Sequence, residues 1–465
     1  MNSLIEVIIS ILMLASMVVL MLEAISHRSI RSSLNEKAHI RLVLLGVIIV
    51  SLFLIITNLI TQKYFDKNPG LLIDYIATCF LMINTIIAIK IGNKTLNNKQ
   101  DNYVFFIILS ALTISITNIW SDYLILKVIN STGWLILMAT LAVKTTSGGK
   151  KAEIGLKLSF SATTVFLLLL LALYFITYSS HISDLANIRI SKMPADNMAL
   201  LGITFFILAS LNLMGIAPFS FAHIDCADGT QMSTAFLLMS NAAIQGASHL
   251  LDAKAVLNRS DLIFSKEINI IGFILSIGLI IAWIRALDQS KIRRTIAYIA
   301  STTCPVFCLS LIFGASELLP RVVFIIAIFA FLSLSLFVIF GSLAYMDNVN
   351  HHWQTWEDIA GFGRTNKIPS LYLLIALASV TGLPGTLGYF IKLSLIAPMR
   401  DNFFFSSAIF ISIALGAACT MRMFVFLFSK HSVTKEISPL TKTPPISLMI
   451  SALVLIILGL FPFVR

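Results

Sequence analysis

Fourteen runs of apolar residues, each long enough to make a helix through a bilayer, constrain this chain more than any other feature. They lie near residues 4–23, 42–61, 71–90, 103–120, 123–143, 157–178, 197–218, 232–251, 268–286, 295–315, 321–345, 369–397, 404–429 and 446–464. A helix crossing the hydrocarbon needs about 20 predominantly apolar residues, because its backbone groups must be satisfied within the segment. Fourteen crossings would use about 280 of the 465 residues and leave only connections, so a large soluble catalytic domain is excluded. Composition agrees, with 12% charged residues where a soluble protein carries about 25%. The expected fold is an all-α polytopic membrane protein of about 14 transmembrane helices. The first run contains Glu6 and has no Lys or Arg before it, so it is expected to be a permanent span rather than a cleaved signal.

Two runs cannot be straight helices. The twelfth holds Gly382, Pro384, Gly385 and Gly388 in its middle, and the seventh carries Gly215 and Pro218. Proline removes a backbone donor, and inside a membrane the freed groups must find partners in the protein. Interruptions five segments apart point to internal repetition of the transporter kind, expected here as two inverted five-helix repeats.

The net charge of +11 would suggest nucleic acid in a soluble protein, but in a polytopic chain basic residues first serve to orient loops. Connections after the odd-numbered spans hold twenty Lys and Arg, and those on the other side, termini included, hold ten. The excess places both termini on the outer, positively charged side of an energised membrane. The host would be a bacterial plasma membrane or a mitochondrial inner membrane.

The five cysteines are Cys79, Cys226, Cys304, Cys308 and Cys419, with no CxxC pair among them. Cys304 and Cys308 share a helix face at i, i+4 without a second ligand pair nearby, so they read as small buried hydrophobes. His351 and His352 are neighbours in sequence and cannot share one helix face, which makes them a poor metal pair. Gly148 and Gly149 precede no Gly-Lys-Ser/Thr, so no phosphate loop is indicated. Neither a metal nor a cofactor is expected in this chain, and neither a soluble substrate nor nucleic acid.

Ionisable groups at bilayer depth are expensive and are functional candidates by default. Lys392, four residues after Gly388, follows the break in span 12. Its amine, held out of water, is a group that can carry a proton; otherwise it snorkels to a headgroup or pairs with a carboxylate. Arg422 lies about two turns from the inner end of span 13. Its guanidinium stays charged, so it serves as a fixed charge that pairs, binds lipid phosphate or biases its neighbours. Lys127, near the start of span 5, is expected to snorkel, and Asp74, four residues into span 3, to sit at the interface. His249 at the end of span 8 is either a proton relay or a hydrogen-bonded core histidine.

Several strings then resemble a known family. Glu357 to Lys392, "EDIAGFGRTNKIPSLYLLIALASVTGLPGTLGYFIK", is similar to the pattern of the antiporter-like membrane subunits of respiratory complex I, shared with Mrp-type cation/proton antiporters and membrane-bound hydrogenases. That pattern runs from an acidic residue through a Gly-Leu-Ala-Arg loop, an Asn-x-Pro helix start and a Gly-Leu/Ile-Pro break to a Gly-Phe-x-x-Lys ending. "IRRTIAYIAS" at Ile292 to Ser301 and "MGIAPFSF" at Met214 to Phe221 are further matches. "TAFLLMSNAA" at Thr234 to Ala243 resembles the start of the family's broken eighth helix. The resemblance therefore implies broken helices at spans 7/8 and 12.

Within the family the pattern is nearest to subunit N. No long lateral helix follows span 14, Lys392 stands where subunit M carries glutamate, and Met421-Arg422 resembles subunit N's Tyr-Tyr-Leu-Arg. The Gly-Leu-Pro-Gly-Thr break, by contrast, looks more like subunit M. The resemblance divides the chain into helices 1–4 over residues 1–120, a proton-conducting transporter domain over 121–429, and a C-terminal loop with helix 14 over 430–465.

The family's proton path uses a glutamate in span 5, a lysine in span 7 and a second lysine in span 8, leading toward span 12. Here those positions fall on Asn130 or Ser131, on Asn212 or Leu213, and on Asn241 or Ala242. None of these titrates near neutral pH, and of the family's path only Lys392 survives. The resemblance implies a membrane subunit of an NADH:quinone oxidoreductase, partnered by other membrane subunits of such an assembly and by lipid. It conducts protons through a modified path or is partly structural. The alternatives are an Mrp-like antiporter component and a scaffold that does not transport. Without a cysteine cluster or nucleotide-binding glycines, redox chemistry belongs to partner chains.

Overall fold

The computed structural model describes residues 69–92, 101–146, 148–180, 197–257, 265–314, 321–347, 355–396, 403–429 and 446–460. The runs at 4–23 and 42–61, and His351 and His352, lie outside the described residues. Runs 3 to 6 correspond to α1 (Pro69–Gly92), α2 (Asp101–Trp120), α3 (Leu124–Thr145) and α4 (Lys151–Ser180). Run 7 is split into α5 (Asn197–Leu213) and α6 (Phe221–Gly229), and run 8 is α7 (Met232–Leu257). Run 9 is α8 (Ser265–Asp288), run 10 is α9 (Ile292–Ser301) with α10 (Thr303–Phe313), and run 11 is α11 (Arg321–Asp347). Two short turns, α12 (Trp356–Ile359) and α13 (Phe362–Thr365), precede run 12, which is α14 (Lys367–Thr381) and α15 (Leu387–Ile396). Runs 13 and 14 are α16 (Phe403–Phe428) and α17 (Ile446–Leu460). Among the described residues the extended structure is limited to isolated bridges, one at Tyr123 and one between Lys291 and Thr355.

Apolar and polar residues are distributed as a hydrocarbon solvent requires. Leu156, Phe160, Leu167, Tyr174 and Tyr178 project outward from α4, and Phe410, Met421 and Val425 from α16. Asn84, Asn118, Asn212, Asn241, Gln245, His249, Lys127 and Lys392 are each buried inside. Outward apolar surface is stable only where lipid or another apolar partner covers it, whereas inward amides and amines need partners supplied by the fold.

The break in run 7 follows the sequence reading. Helix α5 stops at Leu213, Gly215 takes φ +64°, and helical structure resumes only at Phe221, beyond Pro218. Run 8 corrects the expectation of a broken eighth helix. Helix α7 runs unbroken over 26 residues, because it contains no proline and its one glycine, Gly246, is not among the glycines with positive φ. Run 10 is also interrupted, at Thr302. Pro305 has no N–H to offer the carbonyl of Ser301, and the hydroxyls of Thr302 and Thr303 bond back to Ile299 and Ala300.

Candidate functional site

The interrupted run 12 builds the first part of the site. Helix α14 ends at Thr381, and Gly382 follows with φ +82° and ψ +43°. Its N–H bonds to the carbonyls of Ala378 and Ser379, and the N–H of Leu383 also bonds to Ala378. A left-handed residue just past a helix end suits glycine, which has no Cβ to collide with the backbone. The chain then turns through Pro384 and Gly385 and restarts as α15, which returns Lys392 to the break. The Lys392 amine donates to the carbonyl oxygen of Thr381 at 2.8 Å and to the Ser412 hydroxyl at 3.5 Å. Its nitrogen lies 5.8 Å from the centre of the Trp283 ring. Lys392 is 1% exposed, so it neither snorkels nor, among the described residues, forms an ion pair. The C-terminal end of α14, with its negative partial charge, faces the amine instead.

A second polar region follows one face of α7. Asn241, Gln245, His249 and Asp252 succeed one another at helical spacing and cover roughly 16 Å at 1.5 Å per residue. The Asn84 amide donates to Asn241 at 3.4 Å. Gln245 accepts from the Asn118 amide at 3.0 Å and donates to Ser115 at 3.0 Å. Asn118 also donates to Ser131 at 3.1 Å, and its oxygen lies 3.3 Å from Nε2 of His249. Asp252 accepts a hydrogen bond from the Lys127 amine. This corrects the snorkelling expectation for Lys127, whose side chain is 1% exposed: a carboxylate within reach offers the ammonium a better partner than a distant headgroup. Asp74 is half-buried and within electrostatic reach of this pair, so it belongs to an internal cluster rather than to a bare interface.

The positions that the sequence resemblance aligns with those path charges hold neutral groups. Ser131 is bound to Asn118. Asn212 accepts from Ser161 at 3.0 Å and donates to Thr164, while Leu213 and Ala242 are buried apolar residues. Arg422 lies apart from Lys392: its guanidinium donates to the carbonyl of Leu287 at the end of α8 and stacks 4.5 Å over Trp356. Cys304 and Cys308 are buried, and Cys308 contacts the Met214 sulfur at 3.3 Å.

Sequence reading missed Asp252, Asn118, Gln245 and His223. Asp252 carried a signal, since it follows His249 by three residues and so shares its face. Asn118 and Gln245 are 127 residues apart, and no local pattern joins them. His223 is buried in α6 against Gly215, with the Leu213 backbone beside it and neither ring nitrogen in a hydrogen bond of good geometry. Ser333, Ser335 and Ser342 on α11 and Ser276 on α8 also have buried hydroxyls without protein partners. Groups of this kind in a polar interior are where ordered water is expected.

Comparison with known proteins places this geometry in a family. The chain is 26% identical over 377 residues to "NADH-quinone oxidoreductase subunit N 2" of Thermodesulfovibrio yellowstonii, covering 79% of each chain. It is 22% identical over 478 residues to subunit N of Bdellovibrio bacteriovorus, covering 97% of this chain and 95% of that protein. Its fold resembles a chain of respiratory complex I from Thermus thermophilus, with a TM-score of 0.71, 16% identity and 97% of both chains covered. A chain of the Mrp complex from Dietzia is also similar, with a TM-score of 0.67, 11% identity and 84% and 81% covered. Residues 121–420 match the profile of the family described as "NADH:quinone oxidoreductase/Mrp antiporter, TM", and with about two thirds of its length matched the chain belongs to that family.

Proposed function

We propose that this chain is a proton-translocating, antiporter-like membrane subunit of an NADH:quinone oxidoreductase, moving protons through a modified path that ends at Lys392. The observation that carries the reading is the buried Lys392 amine, held without a carboxylate on the carbonyl left free at the break. An ammonium neutralised by a counter-ion would be fixed in its charged form, whereas one facing a helix end and a hydroxyl can give up its proton and retain both neighbours. The amide and hydroxyl groups along α7 accept and donate hydrogen bonds without holding charge, so they suit an ordered water chain. Curated relatives named as subunit N support the assembly. The partner subunits would carry the redox reaction and this chain the coupled ion movement.

The finer arrangement is part of the same proposal. Residues 121–429 form the transporter unit, flanked by 1–120 and 430–465, in a fourteen-span topology with both termini on the outer side. The two-to-one distribution of Lys and Arg among connections supports that orientation.

The test is purification of the tagged chain from its own membranes, followed by reconstitution of what comes with it. Flavin and iron-sulfur subunits are expected to copurify, and Lys392→Met is expected to lower the number of protons moved per electron without loss of assembly. A chain that purifies alone and supports ion-dependent proton flux would replace this reading with an Mrp-like antiporter. An unchanged proton-to-electron ratio in Lys392→Met would leave the scaffold reading.

A further inference from the structure

The pair formed by Lys127 and Asp252 has no counterpart among the charges expected of the path. It lies one turn from Ser131 along α3 and one turn beyond His249 along α7, and its polarity is an amine on span 5 with a carboxylate on span 8. Among the described residues it is the one ion pair with a member less than a tenth exposed. The burial is lopsided: the amine is 1% exposed and the carboxylate 36%. The pair therefore lies at the edge of the described fold, with the acid at its surface and the base facing its interior.

The groups around it come from three sides. Asp74 on α1 and Asp122 just before α3 are within electrostatic reach, and so is His249 from α7. The pair therefore sits among further carboxyl groups rather than as an isolated clamp. On the inner side the next polar group is His249, whose Nε2 meets Asn118 and through it Ser131 and Gln245.

We propose that Lys127 and Asp252 form the proton-loading pair of this chain, feeding the seam of His249, Asn118 and Gln245. This rests on the transport reading above. In the loading step a proton binds the Asp252 carboxylate and releases it from the Lys127 ammonium. The Asp252 carboxyl group then gives up that proton, through a bridging water, to the His249 end of the seam, and the carboxylate re-forms its pair with Lys127, whose ammonium keeps its protons throughout. One proton enters, one reaches the seam, and both members return to their starting state.

The test uses the intact assembly reconstituted in liposomes, with protons moved per electron as the readout. Replacing a buried ion pair by apolar residues of similar size is often neutral for stability, so Lys127→Met with Asp252→Leu is expected to assemble. Its ratio should fall to the value of Lys392→Met, and the triple variant should fall no further. A wild-type ratio in the assembled double variant would overturn the proposal. If that variant fails to assemble, the swap Lys127→Asp with Asp252→Lys keeps the attraction but puts the amine on the exposed side. A reduced ratio in the swap supports a directional loading pair, and a wild-type ratio reduces it to a clamp. Should Lys392→Met itself keep the wild-type ratio, the transport reading fails and takes this proposal with it. A loss confined to Lys392→Met removes only the pair.

Discussion

Lys392 and Thr381 are eleven residues apart and meet across the break in span 12, the amine donating to the carbonyl oxygen at 2.8 Å. The break itself supplies the acceptor. A continuous helix would give that carbonyl to the N–H four residues on, whereas the left-handed turn at Gly382 leaves it for the lysine. The sequence feature that interrupts the helix and the feature that carries charge thus depend on one another.

Gly382→Ala tests that dependence. Alanine at φ +82° is strained by about 1–2 kcal/mol, and its Cβ would come within 2.8 Å of Cδ of Lys392. The substituted assembly should lose thermal stability and also move fewer protons per electron. Normal coupling in a destabilised protein would separate the turn from the function of the amine.

Arg422 should behave differently. It ties α16 to the last carbonyl region of α8 and covers Trp356, and no hydrogen-bond partner links it to Lys392. Arg422→Ala is expected to weaken the fold by at most about 1.5–3 kcal/mol, the scale of a hydrogen bond to a charged group, with proton flux per assembled complex unchanged. Thermal denaturation and reconstituted flux, measured on one preparation, check both halves.

Gly215 and His223 provide a packing test at the other break. A Cβ on Gly215 would lie 2.4 Å from Cγ of His223, on a backbone with φ +64°. Gly215→Ala should therefore destabilise both through backbone strain and through the clash. Adding His223→Ala removes only the clash, so the double variant should recover part of the loss, and a thermal-denaturation double-mutant cycle reads the coupling. Purely additive effects would mean that the imidazole moves aside freely.

The apolar runs, the break after Thr381 and the burial of Lys392 are legible in sequence because each follows from local composition. Hydropathy reports a membrane span, Gly and Pro report an interruption, and a lone cation among apolar residues reports itself. What stayed hidden depends on which helices touch. Lys127 looked like a snorkelling residue because Asp252, 125 positions away, cannot be recognised as its partner before α3 and α7 are packed together. Run 8 is continuous where the family pattern implies a break, because the stretch contains no proline and Gly246 is not among the glycines with positive φ. The interruption at Thr302 was foreseeable in principle from Pro305, which removes the donor that Ser301 needs.

Asn118 offers the sharpest test of the conduction proposed for the seam. Its amide contacts Ser131 and Gln245, and its oxygen faces His249. If protons travel along direct side-chain hydrogen bonds, any substitution that removes the amide should interrupt them. If they travel through water held by these groups, the space matters more than the amide. Asn118→Ala opens room for a water that can contact Ser131, Gln245 and His249, whereas Asn118→Leu fills the space with methyl groups and leaves polar neighbours unsatisfied, at about 1–3 kcal/mol each. The expected result is that the alanine variant retains most of the wild-type proton-to-electron ratio and the leucine variant loses the share that Lys392→Met loses. Equal loss in both would assign conduction to the amide itself, and equal retention would remove the seam from the path.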